Sequence, residues 1–238
     1  LWRYRVFSAL VFTPFFAPII VLFWQDNGLD LFDVYLLQGL FAVAVILLEV
    51  PTGLVADRLG KRTSLLAASV LLCSGFVFYS QGHGFVWFLV GEVVVALGFT
   101  LFSGANQALL YDSLKALGRE ETFTRETGLA GAIQMASFAL TTVAGGFLGE
   151  HSLRAVMLVS AIGPAIAGLV ALGFVEAAPP EPVTSWRAGV RAYGTLIRES
   201  LRFVRKHRLI QWQIGLLAVL GGSSTWLLWR TSAGWCRS

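Results

Sequence analysis

Asp57-Arg58 and Lys61-Arg62 place four charged side chains within six positions, and ion pairs that form and break are the chemistry this spacing allows. They sit in the stretch Gly53-Leu-Val-Ala-Asp57-Arg58-Leu-Gly60-Lys61-Arg62, which reads as a tight charged turn between two apolar runs. Asp57 has Arg58 and Arg62 as candidate partners. Gly53 allows two helices to approach closely, and Gly60 permits a turn where a side chain would clash. Two carboxylates lie inside apolar text, Glu92 and Glu49. A carboxylate at membrane depth is costly and faces a cavity or a partner. Glu92, Ser103 and Asn106 share a helical face, because steps of eleven and fourteen residues return to nearly the same angle. They are candidate cavity residues, and an interhelical hydrogen bond from a protonated Glu92 is the alternative. Gln134, Ser137 and Thr141 form a second polar stripe. Glu49, beside Pro51, reads as structural, with Gln38 a candidate partner on its face. No H-E-x-x-H, metal-ligand spacing or G-x-x-x-x-G-K-[ST] loop occurs, so no catalytic residue, metal site or cofactor is indicated.

The elements that must carry these residues are set by the solvent. The chain has 238 residues, 56% apolar and only 13% charged, against about 25% charged in soluble domains. Its mean hydropathy is +0.70. Its surface therefore faces lipid, where helices and closed barrels alone satisfy the backbone. The apolar runs are long and do not alternate with polar residues, so helices are expected. Seven spans are read, at about 6–25, 32–52, 64–81, 85–110, 129–148, 153–174 and 209–229. With the N-terminus inside, 15 of the 18 Lys and Arg residues fall on inner segments, which orients the chain. The basic pI near 9.4 follows from that bias and does not call for nucleic acid. Arg3 and Arg5 precede the first run, but its length argues against a signal peptide.

Pro14 and Pro18 interrupt the first span, either as a break near a binding site or as a packing kink. Gly91, Gly98 and Ala105 recur every seven residues and suit tight helix contact. Residues 176–184 read as an irregular linker. After it, Trp186, Val190, Tyr193, Ile197, Leu201 and Val204 share one helical face and a run of arginines the next, the pattern of an amphipathic helix on the inner membrane surface. A weak repeat relates Gly53–Asp57 to Gly146–Glu150, consistent with three spans followed by three inverted spans.

The charged turn, the span count and the basic linker together resemble the N-terminal half of the major facilitator superfamily. The family's signature G-x-x-x-D-R-x-G-[RK]-[RK] is met by Gly53, Asp57, Arg58, Gly60, Lys61 and Arg62. Glu49-Val-Pro51-Thr52 before it, and Ser103-Gly104-Ala105 with Ala108-Leu-Leu-Tyr111-Asp112-Ser113-Leu114-Lys115 further on, resemble a bacterial branch of the family. The resemblance implies an all-α polytopic bundle, six helices with a partial seventh. It divides into a bundle over 1–174, a linker over 175–208, a seventh span over 209–229 and an atypical tail over 230–238. It also implies that Asp57 and a base join Asp112 in a conformational latch. It places the first and fourth spans around a central cavity and turns the second and fifth toward the other half. The expected function is secondary transport of a small solute by alternating access in the inner cell membrane, with no nucleic-acid partner. A proton is one candidate coupling ion, with Glu92 or Glu49 as carrier. Because a second six-helix half is absent, Leu1 is not a start methionine and the tail is atypical, a truncated, inactive half-transporter is the alternative. A membrane-embedded enzyme is disfavoured.

Overall fold

Two prolines decide the shape of the first apolar stretch. In the computed structural model, which describes residues 1–176, 198, 202–206 and 211–212, it is two short helices, α1 (Trp2–Val11) and α2 (Ile20–Asp26). The continuous span expected over 6–25 is therefore corrected to a helix broken over residues 12–19. The reason is local. Pro14 and Pro18 bring no backbone donor, and each ring crowds the carbonyl four residues back. The freed groups find other partners: the Thr13 hydroxyl donates to the Leu10 carbonyl (3.2 Å), and the Phe16 amide donates to Ser160 Oγ (3.2 Å).

The remaining apolar runs form α3 (Leu31–Leu59), α4 (Lys61–Ser80), α5 (Gly84–Ala116), α6 (Phe123–Gly149, preceded by a 3-10 turn) and α7 (Leu153–Leu172). All five are long and apolar enough to cross a membrane. Asp30 caps α3 by accepting from the Asp33 amide at 2.8 Å, and Ser152 caps α7 by accepting from the Ala155 amide. The charged turn expected over 53–62 is narrower than the sequence suggests. Pro51 sits within α3, which continues to Leu59, and Gly60 alone separates it from α4. Nothing between Gly53 and Leu59 breaks a helix, so Asp57 and Arg58 ride on the last turn of α3, and Lys61 and Arg62 on the first turn of α4. Gly60 has φ 91° and ψ 154°, a conformation open essentially to glycine.

Packing follows small residues. A Cβ added at Gly98 would press on Leu72 and on the Ala68 carbonyl, and one at Gly91 on the Tyr79 ring. Ala105 is fully buried. The seven-residue stripe is thus the seam of α5 against α4, as expected. Gly104 on α5 faces Gly53 on α3. α5 meets α3 and α4, while α1 meets α6 and α7, and α4 packs on α7. Moving three spans along the chain converts the α5 pairings into the α1 pairings and maps α4–α7 onto itself, the pattern of a three-plus-three repeat. In the second copy Gly145, one residue before the repeat's Gly146, makes the close approach, against the backbone of Phe15.

The helices divide by exposure. In α4, α5 and α7, 44% of the most apolar window is buried, against 11% in α3 and 6% in α6. These are the second and fifth spans. The compact unit described so far extends through Thr184. Of the second unit, 198, 202–206 and 211–212 are helical, with Arg202 and Arg205 exposed and Val204 half-buried. The rest of the expected linker, amphipathic helix and seventh span, and all of the tail, lie outside the described residues.

Candidate functional site

At the Gly60 end of the bundle, charged groups join helices that are distant in sequence. Lys61 Nζ donates to Asp112 Oδ2, tying the start of α4 to the end of α5. Arg5 on α1 donates a fork of bonds to Glu126 on α6, at 2.7 and 3.0 Å. A bidentate guanidinium–carboxylate pair is among the stronger ion-pair geometries. Arg62 works twice. Its backbone amide donates to Glu176 Oε1 (2.9 Å), and its guanidinium donates to the Leu172 carbonyl (2.7 Å) at the end of α7. Arg3 donates to the neighbouring Gly173 carbonyl (2.6 Å). These are the orphan carbonyls every helix end exposes, met here by cations that also suit the negative end of the helix dipole. Of the signature residues, Lys61 and Arg62 make these links. Asp57 and Arg58 are exposed, and among the described residues the base ion-paired with Asp112 is Lys61. Arg62 is spent on α7 and Glu176.

Between the two ends lies a cavity of about 250 Å³. The end of α1 and the broken segment supply Val11, Phe12, Thr13, Pro14 and Phe16 to its wall. Irregular backbone within a membrane is tolerated where it lines a cavity or is buried in protein, so the break and the cavity explain each other. Aromatic rings close much of the rest. Phe16 packs on Phe76 with ring centroids 4.9 Å apart, and Phe12 on Phe99 at 5.7 Å. Phe41, Trp24 and Tyr79 complete the aromatic lining. Among the described residues, Glu92 on α5 is the one lining residue with an acidic or basic side chain. It is 7% exposed, and the Tyr79 hydroxyl stands beside its carboxylate. Trp24 is 1% exposed, and its Nε1 donor has no partner among the described residues.

The expected site residues separate along the bundle. Glu92 and Gln38 reach the cavity. Asn106 lies about 21 Å further along α5 by helix rise, outside that lining. It sits with Tyr4 and Ser8 of α1, its Oδ1 buried without a partner among the described residues. The Ser103 hydroxyl donates to the Thr100 carbonyl of its own helix (3.1 Å), and Thr141 to the Ser137 carbonyl (2.8 Å). Gln134 is half-buried on α6. Glu49 is exposed on α3, eleven residues from Gln38, or about 16 Å along one helix, so those two side chains do not meet. Sequence reasoning passed over Arg5–Glu126 and Tyr79–Glu92. It also passed over the opposite rim, where Arg154 donates to Asn27 Oδ1 (3.2 Å) and contacts His83 Nε2 (3.0 Å). In each case one member was visible as a charge near a span end or within a span, but its mate lay on another helix.

A model of the Major Facilitator Superfamily matches residues 6–235. The chain belongs to the Major Facilitator Superfamily. Curated relatives include the Quinolone resistance protein NorA of Staphylococcus aureus, from strains Mu50 and N315 among others. Identity is 23% over 151 residues, covering 63% of this chain and 38% of the relative. A crystal structure of a mutant of the peptide transporter POT in complex with sulfate superposes with a TM-score of 0.64 at 15% identity. It covers 92% of this chain and 49% of that one. That likeness establishes the shared fold. The chain thus spans well under two thirds of the length of these relatives. As a member of this superfamily it is a multi-pass membrane protein, all-α in fold.

Proposed function

We propose that this chain is a secondary transporter that moves a small solute across the inner cell membrane by alternating access, with the N-terminus in the cytoplasm. The observation that carries the reading is the cavity at the broken first span, walled by rings and holding the buried carboxylate of Glu92. Discontinuous helices at mid-membrane are where transporters of several folds bind solute. At the Gly60 end, ion pairs join α4 to α5 and α1 to α6, and such pairs can hold one conformation and release in another. Gly53, Asp57, Arg58, Gly60, Lys61, Arg62 and Asp112 form that latch region, with Lys61–Asp112 its closed contact. Orientation rests on the 15 of 18 Lys and Arg residues assigned to the inner side. Glu92, on the cavity, is a better placed proton carrier than Glu49 on an exposed helix face. The chain acts as a transporter and not as an enzyme.

The exposed α3 and α6, together with coverage of 38% and 49% of the relatives, favour a second reading in which the chain works only beside another six-helix half. Reconstitution separates the two. Liposomes holding the purified chain under a proton gradient are challenged with a solute panel, with and without a co-reconstituted second half. Flux from the chain alone supports the first reading, and flux only with the added half supports the second. No flux in either condition overturns both. Proton movement that accompanies the solute and disappears in Glu92→Gln supports coupling through Glu92. For orientation, Arg58→Cys is expected to resist impermeant thiol reagents added outside intact cells; labelling from outside reverses the topology.

A further inference from the structure

We propose that the cavity binds a small aromatic organic cation, with Glu92 as the carboxylate that neutralises it. The inference rests on the transporter reading for its meaning, since a transporter's cavity is where solute resides. The argument is one of chemical subtraction. Among the described residues no Lys, Arg or His lines the cavity, so an anionic solute would meet a carboxylate and no counter-charge there. Polar groups are few: Glu92, Gln38, the Tyr79 hydroxyl, the Trp24 donor and Thr13, whose hydroxyl is already spent on Leu10. A polyol or a peptide brings more hydrogen-bonding groups than these can satisfy, and each one left unmet carries a desolvation cost. What the wall offers in quantity is aromatic faces, which favour flat apolar groups and attract cations through their quadrupoles. A buried carboxylate with only a tyrosine hydroxyl beside it lacks a positive mate, and an ammonium group on the solute would supply one. At about 250 Å³ the cavity falls below the roughly 300 Å³ of the smallest drug-sized pockets. One ring with a compact cationic head suits it better than a fused polycycle.

The test is equilibrium binding to the purified chain of benzyltrimethylammonium, of neopentylbenzene, its uncharged carbon isostere, and of benzenesulfonate, each corrected for uptake by empty micelles. The cation is expected to bind about tenfold or more tightly than the isostere, because ring faces and a desolvated carboxylate both select positive charge. Benzenesulfonate should not bind. Glu92→Gln should erase the preference, Glu92→Asp should retain it, and Phe16→Ala should weaken cation and isostere together. Equal binding of cation and isostere by the unaltered chain overturns the proposal even if no variant folds. So does a preference that survives in Glu92→Gln. Cation preference without solute flux upholds this site and removes the transport reading; flux without preference does the reverse.

Discussion

The Gly60 end and the cavity handle charge in opposite ways. At the Gly60 end two interhelical carboxylates have a cation: Asp112 has Lys61 and Glu126 has Arg5. These pairs are partly open to solvent, with Arg5 36% and Lys61 28% exposed. Such contacts are individually weak, screened by salt and cheap to remake. In the cavity Glu92 is buried with a tyrosine beside it and no base among the described lining residues. A charge left unpaired in apolar surroundings is expensive, and its cost falls when a ligand or a proton arrives. The difference separates two duties. In the transporter proposed above, the paired end would hold a conformation, and the buried carboxylate would make that conformation answer to what occupies the cavity.

Four measurements sharpen or break this contrast. The largest effect is expected at the hinge of the paired end. Gly60→Ala forces a side chain into a glycine-only conformation and against the Glu176 carboxylate, and should cost about 1–3 kcal/mol. Thermal unfolding in detergent checks it; an unchanged midpoint means the α3–α4 turn can adopt another backbone path. Next come the ion pairs. A double-mutant cycle of Arg5→Ala and Glu126→Ala should give a coupling energy of about 1 kcal/mol that shrinks as salt is raised. The Lys61→Ala and Asp112→Ala cycle should give somewhat less, because a lysine pair lacks the bidentate fork, while Asp57→Ala paired with Asp112→Ala should be additive. Strong coupling between Asp57 and Asp112 would move the latch contact away from Lys61. The smallest effect belongs to Ser103→Ala, whose hydroxyl is satisfied within its own helix. It should alter stability by less than about 0.5 kcal/mol and leave cation binding intact. Loss of binding there would extend the solute site toward Asn106.

Much of the bundle was legible because lipid restricts the options. Five long apolar runs became five long helices, and the Gly91–Gly98–Ala105 stripe became the α4–α5 seam. The ends were read less well. Hydropathy stops where charges begin, but the backbone does not, so α3 runs on through Asp57 and the turn shrinks to Gly60. Pro14 and Pro18 announced an interruption. Its eight-residue extent depended on Ser160 of α7 accepting the Phe16 amide, a contact between residues 144 positions apart. Glu92 stood out as a carboxylate in apolar text. Its neighbour Tyr79 did not, because their meeting depends on how α4 and α5 are set against each other. Periodicity grouped Glu92 with Asn106 on one face, yet it carries no measure of depth, and the two lie beside different helices at different places along α5. The Arg5–Glu126 pair spans 121 positions and had no local signature at all.

The double use of Arg62 bears on how the molecule can move. α4 belongs to the first trio of spans and α7 to the second, and Arg62 fastens them in both directions, taking a carboxylate on its amide and giving its guanidinium to a helix end. Prising the trios apart would strip two partners from one residue and leave carbonyls bare at the tip of α7. Sliding between the trios is therefore the costly motion. In the transport cycle proposed above, that would have the six helices swing as a single lever and leave the play to the surface that α3 and α6 expose.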